Sequence, residues 1–143
     1  MQRIVLDTNC LLISLPRISP YRIIWDRFLE GQFILCVSSE IIEEYSEIIS
    51  NKTTSEIANN VIATILNAKN TELVTPYYRF NLIQTDKDDN KFVDCCITAN
   101  ANYIVSNDRH FDVLKHIEFP HVNVISVKEF SELQRLRHRP DKS

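Results

Sequence analysis

What most narrows the fold of this chain is that short apolar runs stop at acidic residues. Ile4-Val5-Leu6 leads straight into Asp7, and Tyr103-Ile104-Val105 leads through Ser106 and Asn107 to Asp108. Such short, unbroken runs suit strands buried on both faces. In an open parallel sheet the carboxyl ends of the strands line the ligand crevice. Two carboxylates brought to that edge from opposite ends of the chain point to a divalent-cation site. Oxygen donors of this kind suit Mg²⁺ or Mn²⁺. Two more acidic clusters lie between them, Glu40/Glu43/Glu44 and Asp86/Asp88/Asp89.

Strand-like and helical patterns alternate along the whole chain. Residues 2–6, 33–37, 71–74, 103–105 and 122–125 read as strands. Helices are expected over 21–30, from Ser38 or Ser39 to about Ser50, and over 54–69, 90–101, 109–116 and 127–136. Ser19 and Pro20 suit the cap and first position of the first helix, and Gly31 its end. Pro16, Ser19 and Pro20 argue against regular structure over 11–20. The alternation predicts a single three-layer α/β/α domain with a mostly parallel central sheet over 1–136. Residues 137–143 are expected to form a basic, frayed tail.

Composition removes several function classes. With Gly31 the only glycine, neither a P-loop nor a dinucleotide-binding fingerprint can be written in this chain. The formal charge of −3 does not indicate a generally basic nucleic-acid binder, although local patches remain possible. Cys10, Cys36, Cys95 and Cys96 lack paired metal-site spacing and are expected as reduced core thiols. No apolar run has membrane-spanning length, and the N-terminus lacks a signal-peptide pattern. A cytoplasmic protein without membrane attachment is expected.

Asp7 is the strongest single candidate, because an ionised carboxylate after an apolar strand is costly unless solvated, paired or metal-bound. It also suits a cap for the following turn. Asp108 suits an N-cap and a metal ligand together, with Ser106 and Asn107 placed to orient water or phosphate. Asp112, one turn on, shares that face. Helical spacing puts Glu40 and Glu44 on one face, as it does Glu44 and Glu47, and selects no winner. Nor does it choose among Asp86, Asp88 and Asp89. The histidines show no ligand spacing, and His110 reads as a surface residue near the mouth of the site. Clustered carboxylates around a divalent cation suit in-line displacement at a phosphodiester. A phosphatase with an aspartyl nucleophile would want a second Asp where Asn9 stands.

The ordered motifs Ile4-Val5-Leu6-Asp7-Thr8-Asn9, Ser38-Ser39-Glu40-Ile41-Ile42-Glu43-Glu44-Tyr45, Asp88-Asp89-Asn90-Lys91-Phe92 and Ala101-Asn102-Tyr103-Ile104-Val105-Ser106-Asn107-Asp108 carry a resemblance. Together they resemble the PIN-domain ribonucleases, particularly the toxin subunits of prokaryotic toxin–antitoxin pairs. The resemblance spans essentially the whole chain. It implies a parallel sheet with helices on both faces and an acidic site around Mg²⁺ or Mn²⁺, with Asp7, Glu44, Asp89 and Asp108 as both catalytic residues and metal ligands. Thr8, Asn9, Ser106 and Asn107 take supporting positions. Glu40, Asp88 and Asp112 are secondary candidates. Asp86 and Asp94 compete with Asp88 and Asp89 for the third position. Ser106-Asn107-Asp108 departs from the commoner Thr-Gly-Asp but keeps the hydroxyl.

The function so implied is a metal-dependent endoribonuclease, a toxin neutralised by a partner antitoxin. The alternatives are a non-catalytic RNA- or protein-binding module and a related metal-dependent DNA nuclease or phosphatase. RNA contacts are expected from Lys87, Lys91, Arg109 and the arginines of 135–139. Apolar residues of 11–18 and Tyr77, Tyr78 and Phe80 are candidate homodimer or antitoxin contacts, or core.

Overall fold

The computed structural model describes residues Met1–Arg137. Five strands form one sheet: β1 (Arg3–Leu6), β2 (Ile34–Val37), β3 (Thr71–Leu73), β4 (Tyr103–Val105) and β5 (Val124–Ile125). Their spatial order is β3-β2-β1-β4-β5, and every neighbouring pair is parallel. The expected mostly parallel sheet is thus wholly parallel. Consecutive strand residues point to opposite faces. Ile4 and Val5, Leu35 and Cys36, and Ile104 and Val105 are all fully buried, so helices must cover both faces. Burying each such aliphatic side chain contributes roughly 1.5–3 kcal/mol. The result is a three-layer α/β/α fold.

The helices are α1 (Thr8–Ser14), α2 (Arg22–Leu29), α3 (Ser39–Lys52), α4 (Ser55–Asn67), α5 (Asn90–Ala99) and α6 (Val127–Arg137). Their starts follow from local chemistry. Ser38 accepts from the Ile41 N–H (3.3 Å) and Thr54 from the Ile57 N–H (3.1 Å). Ser126 and Glu129 accept reciprocally from each other's N–H, both at 3.0 Å, closing a capping box. Gly31 ends α2 at φ 74°. The Gln32 N–H reaches the Arg27 carbonyl (2.9 Å) and the Gly31 N–H reaches that of Phe28 (3.0 Å), a Schellman ending. All four cysteines are buried free thiols, as expected.

Two expectations need correction. The stretch 11–20 is not wholly irregular, because α1 begins directly after β1 and runs to Ser14. Pro16, which has no N–H, stops it from continuing. The terminal carbonyls are met by side chains: Ser14 bonds Leu11 (2.6 Å), Ser19 bonds Ile13 (2.5 Å), and Arg22 bonds Leu15. Ser19 is consequently not the cap of α2. Its Oγ accepts from the Tyr21 N–H (3.0 Å), one turn before the helix starts at Arg22. The expected short helix over 109–116 is present as a 3-10 helix, Arg109–His116.

Of the apolar residues considered for contacts, Leu11 is fully buried, whereas Ile18, Tyr77 and Tyr78 are exposed. Arg135 is anchored on the body by a 3.0 Å bond to the Pro20 carbonyl. From residue 138 onward, the expected basic tail lies outside the described residues. Among the described residues no helix is long and apolar enough to cross a membrane.

Candidate metal centre

The strand order reverses direction at β1: β2 and β3 lie on one side, β4 and β5 on the other. The crevice at such a switch point opens beyond the carboxyl ends of the central strands. Asp7 follows β1 directly, and its N–H still bonds the Val105 carbonyl of β4 at 3.0 Å. Asp7 caps α1, accepting from the Asn9 N–H at 3.4 Å. Ser106 joins the two strand ends. Its hydroxyl donates to Asp7 Oδ2 (2.6 Å) and accepts from the Asp108 N–H (3.0 Å). Asp7, Asn9 and Asp108 line one hollow of about 200 Å³ with Cys10, Ile13 and Asn107. Asn107 turns its amide oxygen to the Val127 N–H (3.1 Å) and thereby ties the start of α6 to the edge.

The third segment enters from 74–89. A short 3-10 turn, Lys87–Asp89, follows Asp86, whose carboxylate accepts from the Asp88 N–H at 3.1 Å. Buried Asn90 fixes the approach of this segment. Its amide donates to the Ile83 carbonyl and accepts from the Ile83 N–H, both at 2.9 Å. Asp89 then meets His110, whose Nδ1 lies 3.2 Å from Asp89, 3.1 Å from Asp108 and 3.6 Å from Asp86. Asp86, Asp89 and His110 offer donor atoms all within 4.8 Å of one another, a spacing that one cation can bridge.

Glu44 sits differently. Buried Tyr45 donates to the Leu6 carbonyl (2.6 Å), which pins α3 beside the end of β1. Glu44 then accepts from the buried Thr8 hydroxyl and pairs with Lys91 at 2.6 Å. The secondary candidates disperse. Glu40 pairs with Arg79 (2.9 Å), and Asp112 turns to Lys115 (3.5 Å). Asp88 lines a separate groove with Glu40, Glu43 and Glu44. Asp94 is buried and accepts from the Phe80 N–H (3.1 Å), so its carboxylate serves the 74–89 segment.

Electrostatics separates these groups. Burial pushes Asp7 up from the usual carboxylate range. Its bonds from Ser106 and Asn9 oppose this, and the charges of Asp108 and Glu44 add to it. Burial, then the charges of Asp86 and Asp108, push Asp89 up to about 6 against the lowering effect of the His110 bond. His110 is raised, first by its bond to Asp89. For Lys91, burial is the largest influence and lowers it, but the bond to Glu44 and the charges of Glu44, Asp88 and Glu40 together leave it raised. The donors fit a divalent cation. They are hard oxygens plus one imidazole nitrogen, they crowd one edge, and their ionised forms destabilise one another without a cation.

A family model for the PIN domain matches residues 3–110. The chain belongs to the PIN-domain family. No match was found among curated proteins. PIN domains are generally metal-dependent nucleases that use divalent ions, and the matched span holds Asp7, Glu44, Asp86, Asp89, Asp108 and His110. Sequence reasoning undervalued His110 in this PIN domain. The only hint was its place two residues after Asp108. A backbone turn at that point carries the ring back over the edge, as the 2.9 Å bond from the His110 N–H to Asp108 Oδ1 records.

Proposed function

We propose that this chain is a Mg²⁺- or Mn²⁺-dependent endoribonuclease, the toxin of a toxin–antitoxin pair held silent by its antitoxin. The observation that supports this reading is the meeting of Asp7, Asp89 and Asp108 from three remote segments: Ser106 bonds both Asp7 and the Asp108 N–H, and His110 Nδ1 lies 3.1 Å from Asp108 and 3.2 Å from Asp89. Asp7, Asp89 and Asp108 would hold the ion, with Asp86 and His110 adjacent. A bound divalent ion supplies positive charge for the phosphodiester and acidifies a water. The chain's own residues do the positioning. Ser106 fixes the rotamer of Asp7 and the backbone of Asp108 through one hydroxyl. Thr8 and Lys91 hold the Glu44 carboxylate between them. Asn9, exposed in the same hollow, is placed to hydrogen-bond a substrate oxygen or water.

RNA as substrate rests on the motif resemblance to toxin ribonucleases, as does the antitoxin. Lys87 and Arg109 flank the acidic edge and suit phosphate contacts. Exposed Ile18, Tyr77 and Tyr78 suit an antitoxin or homodimer contact.

The experiment is cleavage of structured RNA, single-stranded DNA and a small phosphate ester, with and without Mn²⁺. RNA cleavage that needs Mn²⁺ and disappears in Asp7→Asn supports the proposal. Cleavage surviving both EDTA and Asp7→Asn overturns it. Preference for DNA or the ester turns the reading to a DNA nuclease or phosphatase, and Mn²⁺ binding without any cleavage turns it to a binding module. Growth arrest on expression, relieved by a small neighbouring reading frame, tests the toxin role.

A further inference from the structure

We infer that His110 is a direct nitrogen ligand of the ion at this edge, which makes the site selective for Mn²⁺ and its later first-row neighbours over Mg²⁺. The inference rests on the metal-dependent reading above and goes beyond it to the identity of the metal.

Its basis is a mismatch between donors and acceptors. Three carboxylate oxygens, from Asp86, Asp89 and Asp108, lie 3.6, 3.2 and 3.1 Å from the single Nδ1 of His110. That nitrogen carries at most one hydrogen, which cannot serve three acceptors. Asp86, Asp89 and His110 present donor atoms all within 4.8 Å of one another, a spacing that one ion can bridge, and Asp108 stands beside that group. With hydrogen on Nε2, Nδ1 presents its lone pair to the same point as the carboxylates.

The arrangement is also held in place. The Asp108 carboxylate bonds the His110 N–H at 2.9 Å, which fixes the turn that carries the ring. The Asn90 clamp on Ile83 fixes the far side, where Asp86 and Asp89 enter. Three potential donors, Asp86, Asp89 and His110, thus come from two anchored segments.

A nitrogen in the donor set changes which ion is favoured. Mg²⁺ prefers oxygen ligands and near-ideal octahedral geometry and gives up its water reluctantly. Imidazole suits the later transition metals, whose affinity rises from Mn²⁺ onward. A purely carboxylate edge would discriminate weakly between Mg²⁺ and Mn²⁺. With His110 in the set, Mn²⁺ binds more tightly, and Co²⁺ more tightly again.

The experiment uses the full chain stripped of metal. Mn²⁺ and Mg²⁺ affinities are measured by calorimetric titration, and the Mn²⁺-loaded protein is examined by pulsed electron paramagnetic resonance for coupling to nitrogen. The expected result is a directly bound imidazole nitrogen in the wild type. In His110→Gln that coupling disappears, and the Mn²⁺-over-Mg²⁺ preference narrows by roughly ten-fold. The ring is half-buried, and circular dichroism checks that the variant stays folded. The wild-type spectrum needs no variant at all. Mn²⁺ bound without nitrogen coupling overturns the inference and leaves the metal-dependent reading standing. So does a coupling that persists in His110→Gln, or an unchanged preference. A wild-type protein that binds neither ion overturns both.

Discussion

The acidic edge has two halves that handle negative charge in opposite ways. On the α3 side, Glu44 is partnered by the chain itself, through Thr8 and the Lys91 ammonium. On the β4 side, Asp86, Asp89 and Asp108 crowd one half-buried imidazole, and Asp89 is pushed up to about 6. The first half is complete as it stands. The second has more negative charge than its one histidine balances. The resemblance read residue by residue gives Glu44 and Asp89 equal rank as ligands, and the two differ in the partners the chain gives them. If the proposed cation binds where the charge is least balanced, it sits nearer the β4 half, with Glu44 held beside it by Thr8 and Lys91.

The largest expected effect sharpens that asymmetry. Asp89→Asn and Asp108→Asn should each lower metal-dependent cleavage by on the order of 10²-fold or more, and Glu44→Gln by distinctly less. Parallel rate measurements at saturating Mn²⁺ check this. An equal loss in all three would erase the distinction between the halves.

Next is Lys91→Met. It leaves Glu44 partly buried without its counter-charge, and should destabilise the metal-free protein by about 1–3 kcal/mol. Glu44→Gln combined with Lys91→Met should recover much of that loss, because no charge is then stranded. Urea denaturation of the two variants decides the matter. If the single variant is as stable as the wild type, the pairing contributes nothing.

The pH response should come from the other half. Asp89 titrates near 6 in the fold against about 3.9 in an unfolded chain. Its protonated form is favoured by folding, so stability is gained as pH falls through 6 and is fully present below the unfolded value. Raised His110 acts in the same direction. Metal-free protein should therefore melt a few °C higher at pH 5 than at pH 7.5. Thermal melts by circular dichroism measure this, and Asp89→Asn should flatten the dependence.

The smallest effect is expected at Glu40. Its pair with Arg79 is solvent-exposed, and such pairs contribute little. Glu40→Gln should leave Mn²⁺ affinity unchanged in calorimetric titration.

The β-α alternation was legible because most strands are short apolar runs, the edge strand Thr71–Leu73 with its Glu72 being the exception, and most helices announce a cap, as Ser38, Thr54 and Ser126 do. Helix α1 was not. Seven residues are too few for a helical period to stand out, and its start depends on Asp7 doubling as a cap. Asp7 and Asp108 were legible because each terminates a buried strand. The fate of Glu44 was hidden, since its partner Lys91 lies 47 positions away. Among the acidic residues of 86–94, spacing could not reveal that Asp94 faces inward to the Phe80 N–H. His110 read only as a surface residue near the site, because the backbone turn that brings its Nδ1 to Asp89 leaves no mark in spacing.

The Asn90 clamp has a consequence for how an ion is received. Because both backbone groups of Ile83 are gripped by one buried amide, Asp86 and Asp89 cannot drift away from the strand ends without tearing two hydrogen bonds out of the interior. The conformational freedom of that acidic hairpin is surrendered when the chain folds. A cation arriving there would meet a cradle already shaped, with little of its binding energy diverted into ordering the loop.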